Sequence, residues 1–285
     1  MREWKLSFLC AGVNLKKWRG NAAACTIAVC FLAFALWNMG WLTEFCLKSG
    51  TRVTPWIFPF SFSAPAMLIF YGGVLALLFS NAPFQDRHTP FLMIRTGKQS
   101  WIRGQLMYIC VASLILPLFY YGAMLLVLLP VLGFSSDWGG VLRSLAADPM
   151  LPHDYGISNV LNSFDYRIMD AFSPLAATLW SLLLAWLVGI FVGTLILFFI
   201  IAVKPGMGIV VAAFFTFWAY FTNYVGLILY GNFSYYVSPL SWTYIGALSP
   251  FNQYAPTLPA VIAVLLGGSI LLSSVSIIIF SRKDT

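Results

Sequence analysis

The chain has 285 residues, 60% of them hydrophobic and only 9% charged, with a formal net charge of +7 and a mean hydropathy of +0.86. A soluble domain carries about 25% charged residues, so this chain lacks the polar surface of a water-soluble globule, and it is too apolar for a disordered one. The composition is that of an integral membrane protein. The expected fold is all-α, with six transmembrane helices, an N-terminal in-plane amphipathic helix and both termini cytoplasmic.

Residues 1–20 precede the first long apolar run. Trp4, Phe8, Ala11, Leu15 and Trp18 recur at helical spacing on one narrow face, while Arg2, Lys5, Lys16 and Lys17 project elsewhere. The pattern predicts a helix lying in the inner membrane interface. Gly12 and Asn14 weaken it as a helix, and a plain basic anchor is the alternative.

A bilayer core takes about 20 apolar residues of helix. The stretches that qualify are Ala22–Leu42, Phe62–Asn81, Gln105–Phe134, Ser173–Val203, Gly208–Tyr230 and Pro259–Phe280. The first is too long for a signal-peptide core and reads as a retained span. Trp18, Trp41, Trp101 and Tyr230 stand at span edges, where amphipathic rings prefer the headgroup layer.

Residues 82–104 follow the second span and read as a cytoplasmic docking element. Thr89 suits an N-cap and Pro90 the first helical position. Phe91 to Thr96 then supply a turn or two of helix, Gly97 is a natural stop, and Lys98 sits near the negative end of the dipole. Arg87, Arg95, Lys98 and Arg103 surround an apolar patch of Phe91, Leu92 and Ile94. Such a capped projection fits a groove on a cytoplasmic partner; a lipid-facing basic loop is the alternative.

Residues 135–172 form the longest extracellular loop, either a cap over a path or a solvated connector. Lys204, Pro205 and Gly206 make a tight turn, so the fourth and fifth spans form a hairpin. Residues 231–258 contain no charged residue and are rich in Tyr, Ser and Pro. They are expected to re-enter the outer leaflet as short broken helices, which requires cover from protein or water.

Charge sets the orientation. With the N-terminus inside, only Lys48, Arg52, Arg143 and Arg167 among the basic residues fall outside. No Asp, Glu, Lys, Arg or His falls within the six spans, whereas ion-coupled transporters usually carry such groups at membrane depth. His88 and His153 lie on opposite sides, and neither a His-Glu-x-x-His nor a Gly-x-Ser-x-Gly motif is present. The position where a P-loop ending at Gly97-Lys98 needs its first glycine is Leu92. No catalytic or metal site is therefore expected, and Cys10, Cys25, Cys30, Cys46 and Cys110 fit no metal or disulfide framework. Work on a solute needs an energy source in another subunit.

Together these features resemble the permease family of ABC-2 transporters. The likeness extends to permeases of Gram-positive bacteria, through Ala82-Pro83-Phe84, Arg95-Thr96-Gly97 before Trp101, and the run Ser238 to Trp242. The resemblance implies an exporter half in the cell membrane that pairs with an identical or related permease. It also implies cytoplasmic ABC ATPase subunits that bind ATP and magnesium, with no cofactor in this chain. By the same resemblance Gln85, Asp86, Arg87, Phe91, Leu92, Ile94, Arg95 and Lys98 form the ATPase-coupling element. Many family members carry an acidic residue there, and here the sole acid is Asp86. An uncharged, aromatic pathway favours amphipathic or peptide-like cargo, with Phe119, Tyr120, Tyr121, Phe214, Phe215, Phe217, Tyr220 and Phe221 as candidate lining. A passive channel or scaffold that uses no ATP is the competing reading.

Overall fold

The structure is a computed structural model that describes residues 2–20, 22–79, 89–204 and 206–282. Among the described residues it is helical, without strands. Five helices are long and apolar enough to cross a membrane, consistent with a multi-pass membrane protein.

Helix α1 (Arg2–Lys16) is followed by a 3-10 turn and by α2 (Ala22–Ser49). α2 runs seven residues beyond the span expected from hydropathy, which ended at Leu42. Glu44 and Lys48 form an i,i+4 ion pair at 2.8 Å that suits a continuing helix. Gly50, at φ +66°, then turns the chain away.

The second expected span divides. A buried turn, α3 (Phe58–Ser61), precedes α4 (Pro65–Phe79), which starts on a proline that needs no intrahelical donor. The 15 residues of α4 rise only about 22 Å, short of a hydrocarbon core, and residues 80–88 lie outside the described set.

Helix α5 (Thr89–Thr96) comes before α6 (Lys98–Leu128), and Gly97 alone joins them. α6 therefore begins seven residues earlier than the expected Gln105, so Lys98 heads a new helix rather than ending the preceding one. The loop 135–172 is not irregular: it contains α7 (Gly139–Ala147), α8 (Leu151–Asp154) and α9 (Tyr166–Ala171). Trp138 ties this segment together by donating from Nε1 to the carbonyls of Met169 (3.1 Å) and Phe172 (3.2 Å).

Helix α10 (Pro174–Ala202) matches its expected span, and the Ser173 hydroxyl caps it by accepting from the Ala176 N–H. It is the most buried of the long helices and packs against α4 and α6. Ala177, Ser181, Ala185, Gly189 and Gly193 place small residues on it every fourth position, a pattern that lets helices approach closely. A Cβ on Gly193 would lie 2.6 Å from Ile109 Cγ2.

α11 (Met207–Phe221) returns from Gly206 and continues through a π-turn (Thr222–Gly226) into α12 (Leu227–Tyr230). The charge-free segment then forms 3-10 helices at Gly231–Val237, Pro239–Thr243 and Ile245–Ala247. The middle one is wholly buried, in contact with α4, α10 and α11. Protein thus covers its backbone, the condition set out above for short broken helices. The last helix, α13 (Leu258–Arg282), packs along α10 and touches α6.

The starts of α2 and α6, the turn between α10 and α11 and the end of α13 carry one set of charges, and the opposite helix ends carry another. Lys5, Lys16, Arg19, Arg95, Arg103, Lys204 and Arg282 gather at one, the basic end. Asp137, Asp148, Asp154, Asp165 and Asp170 gather at the other, the acidic end.

Candidate functional site

The basic end carries a corner built from α1, α5 and the start of α6. Gly97 makes the corner possible. It adopts φ +81°, its N–H bonds the Met93 carbonyl at 2.9 Å, and its own carbonyl accepts from Trp101 N–H at 3.1 Å. One residue thereby ends a helix and starts another, at a backbone angle that favours glycine.

On α5, Phe91 (68% exposed), Ile94 (82% exposed) and Arg95 project outward from one face, while Met93 on the other packs against the core. Lys98 is half-buried at the head of α6. The backbone of Leu92 belongs to the same helix. Gln85, Asp86 and Arg87, the remaining expected coupling residues, lie outside the described residues.

α1 clamps this corner. Its helix is as expected, but the packed face is not. Ser7, Cys10, Ala11 and Asn14 are buried, whereas Trp4 and Phe8 are exposed. At 100° per residue, the packed face is turned roughly 60° from the apolar stripe. The reason is steric. α1 lies against Gly104 so closely that a Cβ there would stand 2.5 Å from Cys10 Cβ, and only small side chains fit that seam. Trp4 and Phe8 flank the contact.

Polar bonds hold the clamp in register. Asn14 Nδ2 donates to Gln105 Oε1 at 2.9 Å, and Trp18 Nε1 donates to the Tyr108 hydroxyl at 3.0 Å. The Cys10 thiol contacts Thr96 Oγ1 at 3.9 Å, tying α1 to the end of α5. Burial pushes the Cys10 thiol above its ordinary pKa, and the Thr96 contact offsets part of that rise. These pairs were not foreseen. The available signal was a polar Asn14 in line with Ser7 and Cys10 at helical spacing.

Two tryptophans expected at the headgroup layer are instead inside the protein. Trp101 is 2% exposed and stacks on Phe280 of α13, centroids 5.1 Å apart. Trp41 is 5% exposed and packs on Phe164. Long-range aromatic partners outcompete the interface for these rings. Tyr230 is exposed.

The candidate pathway aromatics do not share one lining. Tyr120 is fully buried and accepts from Asn38 Nδ2 at 2.8 Å, and Tyr121 donates to the Pro55 carbonyl at 3.0 Å. Phe214, Phe217 and Tyr220 are exposed along α11. There Phe214 and Trp218 stack at 5.9 Å and Phe217 and Phe221 at 6.5 Å. α10 packs against both α6 and α11, the helices that carry the two groups.

Comparison of the chain with protein-family models, curated proteins and solved structures returns no match. Its functional reading therefore rests on its own residues.

Proposed function

We propose that the chain is the membrane-spanning permease subunit of an ATP-driven ABC-2-type transporter, exporting an amphipathic or peptide-like substrate. In this reading it crosses the cell membrane six times, the stretch 62–81 that contains α4 forming the second crossing. The basic end and both termini are cytoplasmic, α1 lies in the inner interface, and residues 231–258 re-enter from outside. A separate cytoplasmic ATPase binds ATP and magnesium and performs the hydrolysis. A second permease, identical or related, completes the translocation path.

The observation that carries this reading is the exposed face of Phe91, Ile94 and Arg95 on α5. It offers apolar anchors beside a cation, the make-up of a docking surface. The single-residue Gly97 joint and the α1 clamp connect that face to α6, the longest of the described helices. A push on α5 is thus delivered to a helix that runs the length of the bundle. Two further observations agree. The basic end fits a cytoplasmic side by the positive-inside rule. No Asp, Glu, Lys, Arg or His is among the buried side chains of the described residues, which favours an outside energy source over an ion gradient.

The test is purification from the native membrane in mild detergent, identification of the co-purifying proteins, and reconstitution with them. The expected result is an ABC ATPase partner and ATP-dependent movement of solute. Uphill transport by the chain alone on a proton or sodium gradient would overturn the proposal.

A further inference from the structure

Where α11 gives way to its π-turn, a groove of about 360 Å³ lies between that turn and the 3-10 helix Gly231–Val237. Small-molecule sites run from about 300 to 1,000 Å³. Trp218 and Phe221 line the groove from α11 with their rings stacked, centroids 5.5 Å apart. Phe233 and Val237 line it from the 3-10 helix, and Tyr230 from α12. The π-turn shapes the site, as such turns inside α-helices frequently do. Gly226 at its end lets the 3-10 helix approach, since a Cβ there would stand 3.1 Å from Ser234 Cβ.

No lining residue is charged, and two hydroxyl side chains, Thr222 and Ser234, join the aromatic rings. Ser234 donates to the Gly231 carbonyl at 2.8 Å and has no proton left for a ligand. Thr222 is 1% exposed, and its hydroxyl bonds no other group among the described residues. The unpaired hydroxyls of Ser113 and Ser181 are sealed from solvent, whereas Thr222 keeps its trace of exposure at the groove it lines. Buried hydroxyls are almost always paired, so this one calls for a partner in the groove. Phe217, 63% exposed, stacks on Phe221. The groove is thus continuous with an apolar outer surface, and a hydrocarbon chain reaches it without crossing water.

We propose that this groove binds one alkyl or acyl chain that carries an uncharged oxygen, a hydroxyl or an ester carbonyl. The oxygen accepts from the Thr222 hydroxyl, and the chain lies along Trp218, Phe221 and Phe233. A charged head group is disfavoured, because no side chain in the groove offers it a counter-charge after desolvation. The same chemistry is presented by a bilayer phospholipid and by a free long-chain amphipath. The inference rests on the reading of α11 and residues 231–258 as membrane-embedded, and it is independent of the ATPase, the second permease and the direction of transport.

The test places the purified full-length chain in phosphatidylcholine nanodiscs, labels it with a diazirine-bearing dodecanol or with diazirine-bearing phosphatidylcholine, and maps the adducts by mass spectrometry. Adducts are expected to concentrate in residues 218–237 and to saturate. Dodecanol should displace the probe about fivefold better than dodecane, and dodecanoate should displace it poorly. Thr222→Val, which keeps the shape and removes the hydroxyl, should erase the preference for dodecanol over dodecane. Val237→Trp should fill the groove and abolish the labelling. Val29→Trp, on the exposed face of α2, should change nothing, and all three variants should keep the melting temperature. Concentrated adducts from the lipid probe support the site and assign a bilayer lipid as occupant. Concentrated adducts from the alcohol alone support the site and assign a free amphipath. Labelling spread evenly over the exposed faces of α11 and α13, labelling that survives Val237→Trp, or a preference for dodecanol that survives Thr222→Val overturns the proposal.

Discussion

Asn14 and Gln105, 91 positions apart in the chain, are both buried and joined side chain to side chain at 2.9 Å. Each is costly alone in an apolar seam, and together they satisfy one another. The pair fixes both the rotation and the height of α1 on α6.

Removing one partner strands the other. Asn14→Ala or Gln105→Ala should each lower stability by about 1–3 kcal/mol. The double variant should cost little more than either single one, because the residues act as a unit. Melting curves of the four proteins in detergent provide the cycle. Strictly additive losses would show that the two side chains are independent.

The Cys10 thiol should be slow to react. Only the thiolate attacks a maleimide or iodoacetamide, and burial holds the Cys10 pKa above its ordinary 9.0. A raised pKa means less thiolate at pH 8, and labelling should rise with pH through a higher midpoint than that of an exposed thiol. A single-cysteine protein retaining Cys10, labelled folded and after denaturation, makes the comparison. Gly104→Val, which drives a branched side chain into Cys10, should detach α1 and speed Cys10 labelling. Equal Cys10 rates in the folded and the denatured chain would refute the clamp.

Trp101→Ala should cost about 3–5 kcal/mol, the usual range for a large ring removed from a core. Trp101→Phe should recover part of it by keeping the stack on Phe280. A surface ring in the headgroup layer would show almost no loss. Apparent melting temperatures in detergent distinguish the two outcomes.

Charge reversal at Arg95, or Ile94→Ala combined with Phe91→Ala, should weaken ATPase association by more than about 1 kcal/mol, roughly fivefold. Stability should be unaffected, since all three side chains project into solvent. Quantitative co-purification alongside melting curves measures both. Full retention of the partner and of transport would remove α5 from the coupling role.

A leucine at Gly193 should be poorly tolerated. The position faces Ile109 and Phe79 at distances that leave no room for a Cβ, so α4 and α6 must move off α10. Over-packing typically costs about 1–3 kcal/mol. Gly73→Ala, where nothing lies within 4 Å, is the matched control in an apolar helix.

Much of the layout was local and therefore legible. Hydropathy located the apolar helices because burying a backbone in lipid demands long runs of apolar helix, a property of contiguous residues. Pro90 and Gly97 announced a short capped helix because their backbone restrictions act within a turn. The absence of charge over residues 231–258 fits the protein cover found at Pro239–Thr243, since uncovered loops carry charge. At the candidate corner, Phe91, Ile94 and Arg95 were visible as an exposed patch.

Tertiary structure decided which surfaces meet. The apolar stripe of α1 pointed about 60° from the packed seam, because Gly104 admits only small side chains and Asn14 finds its partner far along the chain. Trp41 and Trp101 read as interfacial rings until Phe164 and Phe280 were brought against them. Tyr120 and Phe217 looked alike in sequence, but Phe31 and Asn38 of α2 cover the first, and the second stays on the surface. Composition and periodicity report the solvent a residue prefers. Pairing between distant segments determines the neighbour it gets, and no local pattern encodes that choice.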